Sequence, residues 1–292
     1  MLFTIKDIEN LSGIKAHTIR IWEQRYSLLK PSRSDTNIRY YTNEELKKIL
    51  TIALLNKYGY KISHIDKMSE ETMAENVLSL TDAEAKENVL INTLLQCMIN
   101  YEIEEFENLL SRNIAARGME MTILKIIFPF LEKVGVLWVT NHVNPAQEHL
   151  VSNVIRQKII VAIDEIFSNK QSSKTVCLFL PEGEYHEVSL LLVNYLLRKK
   201  GVHTIYLGAH SPFAEVGTIV KHRNPDFLYT HITSASQNFN FDKFITTLHK
   251  EFSEVSNIII SGRLTKTYIK KLPPGIIFKN TLGEVREFIN QI

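Results

Sequence analysis

Beyond the polar stretch at residues 169–173 the hydrophobic period of the chain changes, and that change limits what the C-terminal part can become. Upstream, apolar residues recur at helical spacing. Downstream they fall into short unbroken runs at 175–180, 204–207, 227–232, 257–260 and 275–278, with helical segments such as 188–199 between them. Runs that are apolar on both faces belong to strands covered on both sides, and strands that alternate with helices return as parallel neighbours. The spacing predicts a Rossmann-like, doubly wound parallel sheet over residues 171–292.

The segment before it, 76–170, reads as a helical bundle. Thr81-Asp82-Ala83-Glu84 begins a helix with Leu90, Leu94, Leu95 and Met98 on one face, and Phe106, Leu109 and Leu110 line the next. Residues 119–139 are more apolar, with Pro129 expected to kink or break the helix, and 147–167 carry Leu150, Val154, Ile155, Ile159 and Ile163 on one side. With 292 residues, 45% hydrophobic and 23% charged, the chain has material for two or three such domains. Cys97 and Cys177 each sit in an apolar run and read as buried free thiols. With no leader-like N-terminus and no apolar run of about 18 residues, a soluble cytoplasmic protein with no membrane partner is expected.

At the other end, residues 5–11 form an amphipathic helix, Ser12-Gly13 a turn, and 18–26 a second helix in which Ile19, Trp22 and Tyr26 face a core while Arg20, Glu23 and Gln24 face outward. Pro31 and the run 34–37 make a hairpin-like wing bearing Arg33, Arg39, Tyr40 and Tyr41. A helix over 44–58 ends near Gly59, another follows with Ser63 as its N-cap, and the acidic stretch 69–79 reads as a connector. Helix-turn-helix and plain core hairpin both fit this pattern. The net charge of +2 does not decide between them, so any nucleic-acid reading rests on where the arginines lie.

Residues 3 to 70, from the helix pair through Leu29-Lys30-Pro31, Arg33 and Asn37-Ile38-Arg39-Tyr40-Tyr41, closely resemble the MerR family of winged helix-turn-helix regulators. The segment Trp22-Glu23-Gln24-Arg25-Tyr26 is similar to the subgroup that includes the cobalamin-binding, light-responsive repressors. The resemblance implies a DNA-binding domain over 1–75 that takes a double-stranded operator and self-associates as a dimer or tetramer. Its DNA-contacting residues would be Thr18, Arg20, Trp22, Arg25, Tyr26, Arg33, Arg39 and Tyr40, mostly against phosphates.

A second constellation follows the first strand of the α/β part. Glu184 stands two residues before His186, in a loop expected to leave both side chains exposed. A carboxylate beside an imidazole orients it, as metal-ligating histidines require, although an ordinary surface pair fits the residues as well. The pair is similar to the Asp/Glu-x-His-x-x-Gly motif of cobalamin-binding domains, which implies His186 as lower cobalt ligand and Glu184 as the group behind it. Trp138, nine intervening residues and Glu148-His149 resemble the pattern that covers the upper face of the corrin in the cobalamin-dependent MerR repressors. A bundle-core Trp and a polar helix start after Pro145 are the alternative. Three positions depart from the family. Ser189 stands where a Gly is usual. Ser261-Gly262 stands for the Gly-Gly pair that lets the ligand's nucleotide tail approach the backbone, while Thr233 and Ser234 keep hydroxyls expected near that tail. Val139 replaces the His that takes cobalt's upper position after light, with His142 three residues on, so a light response is expected to differ or be missing.

The function implied is a transcriptional regulator, not an enzyme, whose oligomerisation and operator binding are controlled by adenosylcobalamin or methylcobalamin bound between bundle and α/β domain. A regulator that has lost cobalamin and senses another ligand or a protein partner is the main alternative, and a corrinoid methyl-transfer module a further one. Operator sequence, the sign of regulation and oligomer size are not legible.

Overall fold

Helix formation begins at Thr4, whose amide donates to Asp7 Oδ2 at 2.7 Å while its hydroxyl accepts from the Asp7 amide, a reciprocal cap that fixes the start of helix α1 (Ile5–Ser12). Gly13 closes it at φ 75°, a conformation a side chain resists, and the chain turns into α2 (Ala16–Arg25). The computed structural model describes residues 2–26, 28–33, 37–139, 143–166, 172–233, 239–255 and 257–292, excluding the side chain of Val139. The chain divides into two units, Met1–Val154 and Ile155–Ile292.

The wing is part of a small antiparallel sheet of β1 (Phe3–Thr4), β2 (Ser32–Arg33) and β3 (Arg39–Tyr41) in the order β1-β3-β2, with Phe3 opposite Tyr41 and Arg33 opposite Arg39. Strand β1 is too short for any hydrophobic period to reveal. A second reciprocal cap, Thr42 with Glu45, starts α3 (Asn43–Lys57). Two expectations fail nearby. Ser63 lies inside α4 (Ile62–Ile65), which has Lys61 at its cap and no side-chain cap bond. The stretch read as a connector is a helix, α5 (Glu70–Leu78), capped by Ser69, which accepts from the Thr72 amide at 3.2 Å. Its first turn carries Glu70 and Glu71, which suit the positive end of the helix dipole, and its buried Met73 is too sparse a signal to show a period.

Helices α6 (Ala83–Asn100), α7 (Ile103–Thr122), α8 (Phe128–Val139) and α9 (Pro145–Asp164) supply the bundle segment. Asp82 caps α6, as the sequence suggests. The sharp break lies at Gly118 (φ 79°, ψ 162°), and Pro129 directly follows a π-helical turn over Ile123–Ile127 that runs without interruption into α8, so the helix is distorted before Pro129 rather than broken. Within this unit Lys57 Nζ meets Glu84 Oε1 at 2.7 Å, tying α3 to α6.

In the second unit the expected strands all form: β4 (Thr175–Pro181), β5 (His203–Ser211), β6 (Phe227–His231), β7 (Asn257–Ser261) and β8 (Ile276–Lys279). They pair in parallel in the order β5-β4-β6-β7-β8, with α10 (Glu187–Lys199), α11 (Phe213–Arg223), α12 (Phe241–Glu251) and α13 (Leu282–Gln291) between and after them. One sheet face packs Cys177, Phe179, Leu228 and Ile260 against Val216, Phe244 and Leu248. On the other, Phe227 and Tyr229 meet Phe288 of α13. The strand order reverses between β4 and β6, and it is beyond the carboxyl ends of strands at such a switch point that open α/β sheets take ligands.

Both cysteines are buried, and burial raises their thiols to about 11 for Cys97 and about 12 for Cys177. Among the described residues no helix is long and apolar enough to cross a membrane.

Candidate functional site

On α2 the apolar residues Ile19 and Trp22 turn inward, Trp22 to 7% exposure, and therefore serve the core of the helix pair rather than a surface. Arg20, Arg25 and Arg33 are exposed, while Thr18, Tyr26 and Tyr40 are half-buried. Glu23, read from sequence as outward, is the main correction here. Its side chain is 8% exposed, its Oε2 accepts from Arg39 Nε at 2.8 Å and its Oε1 accepts from the Tyr41 hydroxyl. Arg39, expected at a phosphate, joins wing and α2 through its Nε. Arg33 donates to Asn37 Oδ1 at 2.5 Å across the hairpin. Of the arginines expected at DNA, Arg20, Arg25 and Arg33 therefore stand exposed, on a frame set by Glu23, Arg39 and Tyr41.

The rim of the α/β unit corrects a second expectation. Glu184 is not exposed: at 2% it is among the buried charged residues, whereas the His186 side chain is 41% exposed. Glu184 Oε1 meets His186 Nδ1 at 2.5 Å and accepts from the amides of Tyr185 and His186 at 3.0 Å each. Its Oε2 accepts from the Thr233 amide at 3.0 Å, which links the loops after β4 and β6 across the switch point. Burial pushes the carboxyl upward, but the His186 ring and the donated amides outweigh it and hold Glu184 below its ordinary range. The anion fixes the imidazole through Nδ1, so any ligation falls to Nε2. Glu187, at the start of α10, accepts from the Tyr206 hydroxyl at 3.0 Å and pairs with Arg156 at 2.8 Å, which anchors the helix behind His186.

Sequence reasoning passed over two residues beside this dyad. His210, in the left-handed conformation (φ 54°), accepts from the Gly183 amide through Nδ1 at 3.1 Å, and its ring stacks on Tyr185 with centroids 5.2 Å apart. Their signal was only a Tyr inside the motif and a His ending a strand.

Ser189 is half-buried in the first turn of α10. Ser261 is buried at the end of β7, where Oγ lies 2.6 Å from the Tyr229 hydroxyl and 2.8 Å from His231 Nδ1. A Cβ at Gly262 (φ 105°) would stand 2.3 Å from the Ile232 carbonyl oxygen, so that glycine serves close backbone packing. Thr233 Oγ1 is buried and has no hydrogen-bond partner among the described residues. Ser234 and His142 lie outside the described residues, as does the Val139 side chain.

In the first unit, Asn144 and Gln147 cap the start of α9 reciprocally, with Gln147 accepting from the Asn144 amide at 3.1 Å and donating its own amide to Asn144 Oδ1 at 2.9 Å. Glu148 and His149 occupy that first turn, 3.7 Å apart, with the imidazole largely exposed. Trp138, at the end of α8, is 40% exposed and so is not a core residue of the bundle.

The donor set suits a corrinoid in part. A carboxylate-oriented imidazole is what a cobalt already held by a macrocycle would need, and the Thr233 hydroxyl, unpaired among the described residues, could serve an amide of such a ligand. The space expected for a nucleotide tail beside Ser261 holds protein side chains instead.

Comparison with known proteins agrees with this division. Residues 3–72 match the MerR HTH family regulatory protein family, and residues 90–162 match the B12 binding domain family. The chain is 24% identical over 272 residues to the HTH-type transcriptional repressor CarH of Myxococcus xanthus, covering 91% of this chain and 90% of that one. It is 27% identical to the HTH-type transcriptional repressor CarA of the same organism, covering 77% and 75%. The Methanosarcina barkeri monomethylamine corrinoid protein shares the fold, with a TM-score of 0.57 at 16% identity over 70% of this chain and 100% of that one. Both curated relatives are repressors rather than enzymes. The chain thus carries a match to a MerR-type helix-turn-helix family over residues 3–72 and to a B12 binding domain over residues 90–162, and along most of its length it is similar to two transcriptional repressors.

Proposed function

We propose that this regulator binds an operator through Arg20, Arg25 and Arg33, and that a cobalamin ligated by His186 controls its self-association and thereby its hold on DNA. The observation that carries the reading is the Glu184–His186 dyad at the switch point, buried carboxylate behind, half-exposed imidazole in front. A corrinoid bound there would supply a cobalt able to exchange a ligand. The chain's own residues do the rest: Glu184 keeps the proton on Nδ1, Thr233 holds Glu184, and Trp138, Glu148 and His149 are assigned to the upper face of the macrocycle. Thr18, Tyr26 and Tyr40 are assigned supporting contacts to the duplex backbone.

The test is direct. Protein produced with adenosylcobalamin should leave gel filtration red, and His186→Ala should leave it colourless or strip the band shift that marks histidine ligation. A wild-type protein that emerges colourless yet binds DNA would instead support a regulator that has lost the corrin.

A further inference from the structure

Residues Tyr229 and His231 of β6 alternate onto the sheet face that carries α13, and Ser261 of β7 stands opposite His231 in register. The three are joined through one atom, Ser261 Oγ, at 2.6 Å from the Tyr229 hydroxyl and 2.8 Å from His231 Nδ1. Tyr229 is fully buried and its ring stacks on Phe288 with centroids 6.2 Å apart. The backbone leaves no more room than the side chains do. The Ile232 amide donates to the Ser261 carbonyl at 2.9 Å, and the Ile232 carbonyl lies where any side chain on Gly262 would have to go. This cluster lies immediately behind the dyad, since the Thr233 amide that holds Glu184 is two residues after His231. A benzimidazole nucleotide is a bulky, partly charged group. To pass here it would have to break a satisfied buried hydrogen-bond network and displace an aromatic stack, and both are unfavourable.

We propose that Tyr229, Ser261 and His231 plug the way into the sheet behind His186, so that the protein grips a corrinoid by its ring and edge amides and leaves the nucleotide tail outside. This rests on the reading that the chain takes a corrinoid at all. The ligand class that follows is broader than cobalamin, because a corrinoid without its nucleotide loses no contact. Such a ligand even gains, having no benzimidazole of its own to compete with His186 for cobalt.

The experiment compares adenosylcobalamin with adenosylcobinamide, which has the same ring and upper ligand but no nucleotide, by absorbance titration of the full-length protein. The wild type is expected to bind cobinamide at least as tightly as cobalamin, within about threefold, with the histidine-ligated spectrum in the cobinamide complex. Ser261→Gly combined with Tyr229→Phe is expected to move the preference toward cobalamin by about tenfold or more. Cobalamin bound about tenfold or more tighter than cobinamide by the wild type overturns the plug, whatever the variant does, and leaves the corrinoid reading standing. Binding of neither overturns both.

Discussion

Glu184 and His231 set how the α/β unit responds to acid, and both act in the same direction. Burial lowers His231 to about 4, against the ordinary 6.5, so the unfolded chain takes up a proton over that interval that the folded chain refuses. Stability is therefore intact above about pH 6.5 and falls as pH drops toward 4, by an amount on the order of 3 kcal/mol. Glu184 is held below its ordinary range, so its contribution is present at neutral pH and is lost lower still, as the carboxylate is finally protonated. Denaturant melts of the protein between pH 7 and 4.5 should show this decline. His231→Asn, which keeps a polar group beside Ser261, should flatten it, and an unchanged slope in that variant would assign the decline elsewhere.

Between elements, the Glu23–Arg39–Tyr41 joint makes wing and α2 one rigid reader. Glu23→Gln is expected to weaken operator binding by about tenfold while leaving the salt dependence unchanged, because no phosphate contact is removed. Arg20→Ala should do the opposite to the slope, lowering the number of released counterions by about one. Equal slopes for both variants would return Glu23 to the exposed role its helical position suggests. In the bundle, Gly118 holds backbone angles that only glycine adopts readily, so Gly118→Ala should lower stability by about 1–3 kcal/mol in a thermal melt. These elements mark what was legible in the sequence. The five parallel strands and the helix start at Asp82 follow from local patterns, and the structure carries them. What escaped was set by partners distant in sequence. Glu23 lies on the outward arc of an isolated helix and is drawn in by Arg39 and Tyr41, sixteen and eighteen positions on. Glu184 reads as a loop carboxylate until Thr233 reaches it from the loop after another strand. Helix α5 buries only Met73 and gives too little period to be told from a linker.

At the scale of the whole molecule, the proposal is one of linkage. A ligand that binds one assembled state better than another must shift the population toward it, and DNA, which engages several heads of an assembly at once, must gain affinity by the same coupling. Protein loaded with adenosylcobalamin is therefore expected to sediment as a larger species than the unloaded protein and to bind operator about tenfold or more tightly, with His186→Ala abolishing both differences. Identical sedimentation with and without the corrinoid would remove the control while leaving DNA binding in place. Residue 139 extends the proposal to light, because the resemblance implies a histidine at that position in photoreceptors of this kind. Val139 has no lone pair to offer cobalt once the upper bond is broken, so the light-exposed protein has no ligand at that position to lock a new state. The loaded species should keep its size under green light, and dissociation accompanied by a two-histidine spectrum would show that another imidazole takes that place.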